Sequence, residues 1–239
     1  MFDPRVPALP AGSVAPVAAG PAYAVANALS YLLNPLVLPP AGFGLALWHL
    51  GAPRLEIITV VLVALAFYGL LPLAYIARLV QQGEASSLEI RQRERRTKPF
   101  LVGIACYALG AVVLGALGET AVPLVVAMAA LFPLNTAIVL LINFRWKMSV
   151  HLTSIAGFVS MLYVIVATAW ADGSVPPGWE AALSVQAVAP LILLVPVMGW
   201  ARVRVGAHTK KQALAGALFG LFVPAAQLYA LIVLLGLGS

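Results

Sequence analysis

The sequence predicts an all-α, polytopic integral membrane protein, a helical bundle of six to seven transmembrane helices. Of its 239 residues, 62% are hydrophobic and only 9% are charged, whereas soluble domains carry roughly 25% charged residues. The mean hydropathy is +1.00. Apolar runs long enough to cross a bilayer recur along the chain, and short polar segments separate them.

The order of these runs predicts two regions. Residues 1–27 form an Ala/Pro-rich N-terminal arm, and residues 28–239 form the transmembrane domain. The apolar spans are predicted at residues 29–50, 55–80, 99–117, 121–143, 149–170, 181–200 and 212–237. Asn34-Pro35 and Pro39-Pro40 interrupt the first span, so it is kinked or divided into two pieces. The second span is predicted to be uninterrupted.

Most cations fall into three basic clusters. The first cluster is Arg91, Arg93, Arg95, Arg96 and Lys98; the second is Arg145 and Lys147; the third is Arg202, Arg204, Lys210 and Lys211. One helical hairpin separates each cluster from the next, and a hairpin returns the chain to the side it left. All three clusters are therefore expected on one face of the membrane. The positive-inside rule makes this the cytoplasmic face of an inner (plasma) membrane protein, and it accounts for such a pattern without any binding site.

Two histidines add a chemical signal to these clusters. His151 follows Lys147 and Ser149, and His208 follows Arg202. Each histidine is predicted near the start of a span, on the basic face. Histidine and cations together at a membrane surface favour an anionic ligand, with phosphate as the first candidate.

The basic segments resemble the motifs of the type 2 phosphatidic-acid phosphatase superfamily, over about residues 91–220. Its third motif, Ser-Arg-x5-His-x3-Asp, is similar to Arg202-x5-His208-x3-Gln212 here. Its second motif, Pro-Ser-Gly-His, is similar to Met148-Ser149-Val150-His151. Its first motif, Lys-x6-Arg-Pro, is similar to Arg91-x6-Lys98-Pro99, with the two cations interchanged.

The resemblance implies a membrane lipid phosphatase that works through a phosphohistidine intermediate. His208 would be the nucleophile, His151 the general acid, and Gln212 the residue that orients His208. The implied phosphate-binding residues are Arg91, Lys98, Ser149, Arg202 and Lys147. The substrate would be a polyprenyl phosphate or diphosphate, phosphatidate or phosphatidylglycerol phosphate. No metal and no other cofactor is implied.

A second function stays open because Gln212 stands where the family has Asp. An amide oxygen can accept a hydrogen bond from His208, but it does not stabilise an imidazolium as a carboxylate does. The alternative is a catalytically weak or inactive relative that binds anionic lipid or serves as a structural subunit of a larger membrane complex. A transporter is less favoured, since no intramembrane acidic residue is evident. The expected partners are the lipid phosphate and membrane lipids, with no nucleic acid; oligomeric state stays open.

Overall fold

The computed structural model describes residues 20–85, 87–90, 92–117, 123–171 and 184–237, and its regular structure is helical throughout these ranges. The helices are α1 Pro21–Leu32, α2 Leu38–His49, α3 Arg54–Gln81, α4 Thr97–Ala116, α5 Pro123–Asn143, α6 Val150–Ala171, α7 Val185–Arg204 and α8 Lys210–Leu235. Six of them, α3 to α8, are long and apolar enough to span a membrane. The predicted all-α, polytopic bundle is thereby confirmed, and the chain is a multi-pass membrane protein.

The first predicted span is divided into two short helices, as its prolines indicate. The chain turns at Asn34, whose side-chain oxygen accepts from the Leu36 amide at 3.0 Å and whose carbonyl accepts from the Val37 amide at 3.0 Å. Pro39 and Pro40 lie in the first turn of α2, where a missing amide costs no helical hydrogen bond. Helix α1 begins at Pro21, inside the predicted arm, because the run that follows is Ala-rich and apolar; residues 1–19 of that arm lie outside the described residues.

Helix α3 is continuous from Arg54 to Gln81, as predicted, but it is not a uniform α-helix. Leu65–Leu70 is π-helical. Pro72 lies two residues after this segment; it has no amide to donate, and its ring would clash with the carbonyl four residues earlier. Widening the turn before this proline relieves that conflict, and the helix then continues to Gln81.

Helices α6 and α8 form the closest pair in the bundle. Gly216 and Gly220 lie four residues apart on α8. A Cβ at Gly220 would lie 2.4 Å from the Thr153 carbonyl oxygen, and one at Gly216 would lie 2.6 Å from the Ser149 carbonyl oxygen. Small residues at this spacing allow two membrane helices to approach backbone to backbone. The pairing fixes the start of α6 beside the start of α8.

The remaining helices are arranged around this pair. Helices α4 and α5 form an antiparallel hairpin, α1 packs on α7, and α2 packs on α3 and α6. An aromatic cluster lies between α2, α3, α4 and α5: Tyr68 stacks on Tyr107 with ring centroids 5.1 Å apart, and Phe43 meets the Tyr68 ring edge-on at 5.4 Å. The Tyr68 hydroxyl donates to the Tyr107 carbonyl at 3.0 Å, so its polar end is satisfied inside the bundle.

Candidate functional site

The three basic clusters meet at one end of the bundle. Arg96, just before α4, donates through Nη1 to the Met148 carbonyl at 3.3 Å, just before α6. The Lys147 Nζ donates to the Ala207 carbonyl at 2.8 Å, in the turn between α7 and α8. These contacts join the first cluster to the second and the second to the third, across large separations in the chain.

Arg202 is the buried cation at the centre of this end. It lies in the last turn of α7, where a positive charge suits the helix dipole, and it is only 1% exposed. Its guanidinium forms an ion pair with Glu89, which lies in the segment between α3 and α4. Its Nε has no hydrogen-bond partner among the described residues. A guanidinium taken out of water needs an anion, and Glu89 is the anion that it holds here.

A tight turn fixes His208 relative to Arg202. The Arg202 carbonyl accepts from the Ala207 amide at 3.1 Å and from the His208 amide at 3.3 Å. Gly206 has φ of +68°, a left-handed conformation that glycine adopts without strain and that ends helices in this way. The His208 side chain is 2% exposed. The spacing of five residues between the arginine and the histidine is therefore a helix end followed by a capped turn.

Gln212 orients the His208 ring and also caps α8. Its Oε1 lies 3.3 Å from His208 Nδ1 and accepts from the Thr209 amide at 3.2 Å. The Thr209 hydroxyl accepts from the Gln212 amide at 3.3 Å, which completes a capping box. An amide oxygen only accepts, so Nδ1 carries the hydrogen of the His208 ring and Nε2 keeps a lone pair.

The surroundings of His208 keep it neutral. Burial is the largest cause that lowers its pKa well below 6.5, and the charges of Arg96, Lys147 and Arg202 lower the pKa further. The hydrogen bond with Gln212 acts in the opposite direction. Desolvation therefore acts in the same direction as the neighbouring cations and outweighs each of them.

His151 and Ser149 lie at the start of α6, but they are placed differently. The His151 ring is half-buried and lines an internal cavity. Ser149 is fully buried; its amide donates to the Gln212 carbonyl at 3.3 Å, and its hydroxyl accepts from the Leu152 amide at 3.5 Å. Ser149 thus joins α6 to the start of α8, and it is not among the described residues that line the cavity.

The cavity has a volume of 490 Å³, and its polar end is built from groups of all the converging segments. The charged and imidazole groups at that end are those of Glu89, Arg96, His151, Arg202 and His208. Such a volume lies within the range of roughly 300–1,000 Å³ that is usual for small-molecule sites. Cations and two imidazoles in one partly dry space suit a ligand that carries negative charge.

The predicted phosphate-binding residues are only partly brought together. Arg202 lines the cavity, and the charge of Lys147 acts on His208 from nearby. Lys98 is exposed and is not among the described lining residues, so its predicted phosphate contact is not formed here. The 3₁₀ turn Glu94–Arg96 that precedes α4 directs Arg96 inward instead. Arg91 lies outside the described residues.

The sequence analysis did not identify two residues of the site, Arg96 and Glu89. Arg96, which is not among the implied phosphate-binding residues, is buried, and its charge acts on both His151 and His208. Nothing in the pattern distinguishes it from Arg93 or Arg95. Glu89 carries a weak signal, since it is an acidic residue between two apolar neighbours, directly before the first basic cluster.

The polar side chains at this end carry guanidinium, ammonium, imidazole, amide and carboxylate groups. No group of three or more His, Cys, Asp or Glu that could hold a metal ion occurs in the part of the chain that the structure describes. No protein-family model matches the chain, and no curated protein and no solved structure matches it either.

Proposed function

We propose that the protein is a membrane lipid phosphatase that hydrolyses a lipid phosphate or diphosphate through a phosphohistidine at His208. The observation that supports it best is the placement of a neutral, buried His208 beside Arg202 and Arg96 in a cavity that His151 also lines. These are the groups that phosphoryl transfer needs: a nucleophile, a general acid and fixed positive charge. The substrate class is a polyprenyl phosphate, phosphatidate or a related lipid phosphate.

The chemistry assigns one role to each group. The Nε2 lone pair of His208 forms a bond to phosphorus while the bond between phosphorus and the lipid oxygen breaks. His151 gives a proton to that oxygen, so that a neutral alcohol leaves. Water then attacks phosphorus and gives a proton to His151, while the bond between phosphorus and Nε2 breaks, so that inorganic phosphate leaves and His208 is regenerated. Arg202, Arg96 and Lys147 stabilise the negative charge of the transferring group.

Gln212 supports this role without a carboxylate. Its Oε1 accepts a hydrogen bond from His208 Nδ1, with 3.3 Å between the two atoms, which leaves Nε2 as the reactive nitrogen. An amide stabilises positive charge on the imidazole ring less than a carboxylate does. We therefore expect lower turnover than a His-Asp pair would give, with the same orientation of the ring.

The ion pair between Glu89 and Arg202 sets a condition for binding. A phosphoryl group that takes Arg202 as its ligand replaces the Glu89 carboxylate there. Exchange of one anion for another leaves the buried guanidinium paired throughout, which avoids the cost of an isolated buried charge. The segment that carries Glu89 lies between α3 and α4, on the same basic face.

The membrane and the face of the site are part of the proposal. The segments that carry the three basic clusters meet at one end of the bundle. By the positive-inside rule, this end belongs in the cytoplasm and the protein in the inner (plasma) membrane. A phosphate site on that face would act on lipid phosphates of the cytoplasmic leaflet.

A second candidate is a catalytically weak relative that binds anionic lipid or supports a larger membrane complex. Two observations favour it. Gln212 has a complete structural role in the capping box of α8, and Glu89 already neutralises Arg202. In this case the site would bind a phosphorylated headgroup and leave it intact.

Phosphate release separates the two candidates. Purified protein in lipid nanodiscs is given phosphatidate, a polyprenyl phosphate, a polyprenyl diphosphate and phosphatidylglycerol phosphate. We expect release from at least one of these by the wild type, and a loss of about 10³-fold or more in His208→Ala. Lys210→Ala, an exposed cation two residues away, is the matched control and should keep wild-type activity. No release from any substrate, with retained binding of the same lipids, would support the second candidate.

A further inference from the structure

The cavity of the site continues far into the bundle. Along α4, its lining begins at Arg96 and continues through Phe100 and Gly103 to Tyr107. At 1.5 Å of rise per residue, this covers a depth of about 16 Å. The hydrocarbon core of a bilayer is roughly 30 Å thick, so the cavity reaches from the basic face to about its middle.

Two other helices line the cavity to the same depth. On α5 the lining residues extend from Val139 at the basic end to Met128, and on α6 they extend from His151 to Leu162. Each of these stretches also covers about 16 Å. Agreement among three helices means that the cavity is deep and elongated parallel to the helices; we call this elongated space the tunnel.

The wall changes character along the tunnel. Charged and imidazole groups occur only at the basic end of the described lining, and the deeper wall consists mainly of apolar and aromatic side chains such as Phe132, Met161 and Phe158. Asn135 is a polar exception, and its amide nitrogen is paired with Gln227 Oε1 at 2.7 Å. A deep apolar space of this kind excludes water and favours an apolar occupant.

One molecule that suits both ends has an anionic head and a hydrocarbon chain.

We propose that the tunnel holds a hydrocarbon chain of the lipid phosphate, so that the protein recognises the chain as well as the phosphate. This rests on the proposed function and departs from a site that leaves the tail in the bilayer. Chain length is then limited by the end of the tunnel near Met128 and Leu162.

A substitution that fills the tunnel tests this directly. A Cβ at Gly103 would meet only the Tyr107 ring, at 3.8 and 3.9 Å, so the leucine of Gly103→Leu has space and enters the tunnel. Gly115→Leu is the matched control on the same helix: it is exposed, and its Cβ would meet only Val126 Cγ1, at 3.7 Å. We expect Gly103→Leu to lower kcat/KM for long single-chain phosphates by about tenfold or more while short-chain phosphates react as in the wild type. Equal rates of Gly103→Leu and the wild type at every chain length would overturn the proposal and leave the phosphatase standing.

A second measurement does not depend on hydrolysis. A single-chain lipid phosphate with a photoreactive group at the chain end is cross-linked to the wild type, and the modified peptides are mapped. Adducts at Met128, Phe132 or Met161 are expected, and Gly103→Leu should reduce them. Such adducts without any phosphate release would support the tunnel and refute the proposed hydrolysis. Adducts confined to outward-facing residues such as Leu134, Leu141 or Phe222 would refute the tunnel.

Discussion

At the scale of single residues, the ion pair between Arg202 and Glu89 decides how the site receives an anion. Arg202 is almost completely buried, and Glu89 reaches it from a separate segment of the chain. A buried cation that already has a partner binds a new anion only by exchange. The same carboxylate stabilises the fold before substrate arrives and competes with substrate afterwards.

Removing this carboxylate should have opposite effects on binding and stability. In Glu89→Gln, phosphate no longer competes with a charged group, so KM for the lipid phosphate should fall several-fold. The free protein should lose about 1.5–3 kcal/mol of stability, because Arg202 loses its charged partner. Inorganic phosphate should raise the Tm of this variant more than that of the wild type. Glu94→Gln, which removes an exposed partner of Arg93 in the same region, is the control; a raised KM in Glu89→Gln would mean that Glu89 positions Arg202 instead of competing.

The lowered pKa of His208 predicts how the stability of the protein depends on pH. Its folded pKa lies well below 6.5, whereas the unfolded chain takes up a proton near that value. The contribution of neutral His208 to the free energy of unfolding is therefore complete above pH 6.5. It is lost as pH falls below that value, by up to about 1.4 kcal/mol for each pH unit. Thermal unfolding between pH 7.5 and 5 should show this decline in the wild type and a shallower one in His208→Asn. Equal slopes for both proteins would mean that His208 is not held neutral by the fold.

At the scale of helices, the contact between α6 and α8 positions the catalytic groups. Gly216 and Gly220 let the two backbones approach, and the Ser149 amide bonds to the Gln212 carbonyl across the same interface at 3.3 Å. His151 and His208 lie near the starts of these two helices. The separation of the helices therefore determines whether both imidazoles reach one cavity.

Even one methyl group should disturb this contact. A Cβ at Gly220 would lie 2.4 Å from the Thr153 carbonyl oxygen and 2.9 Å from the Gly157 nitrogen, and backbone atoms cannot turn aside. We expect Gly220→Ala to destabilise the protein by about 1–3 kcal/mol and to lower activity as well. Gly199→Ala is the control, since its Cβ would meet only Leu152 Cδ1 at 3.9 Å. A Tm equal to that of the wild type in Gly220→Ala would show that the helices do not need this close approach.

At the scale of the whole molecule, the sequence predicts the bundle well because charge and hydropathy determine it. Counting helical hairpins places the three basic clusters on one face, and the contacts between the segments that carry them agree. Prolines predict the division between α1 and α2. The spacing from Arg202 to His208 predicts their proximity, since only a capped turn separates them.

The remaining features depend on packing between distant segments. Glu89 reaches Arg202 from an irregular segment, and no local pattern fixes where such a segment lies. Arg96 and Lys98 are two residues apart, and the 3₁₀ turn before α4 decides which of them faces inward. The tunnel arises from the docking of α2, α4, α5 and α6 against one another, and no single helix shows it. These features depend on how distant segments pack in the complete bundle, and a local sequence pattern does not contain that information.

The most direct measurement of the proposed chemistry is a covalent phosphoryl group on His208. Wild-type protein is mixed with a lipid phosphate labelled in its phosphoryl group, stopped within one turnover, and analysed under alkaline conditions that preserve phosphohistidine. We expect label on the peptide that contains His208, absent from His208→Ala and accumulated in His151→Ala when the leaving group is a good one. A wild type that releases phosphate and carries no label on His208 would contradict the mechanism, and label at another residue would place the nucleophile elsewhere.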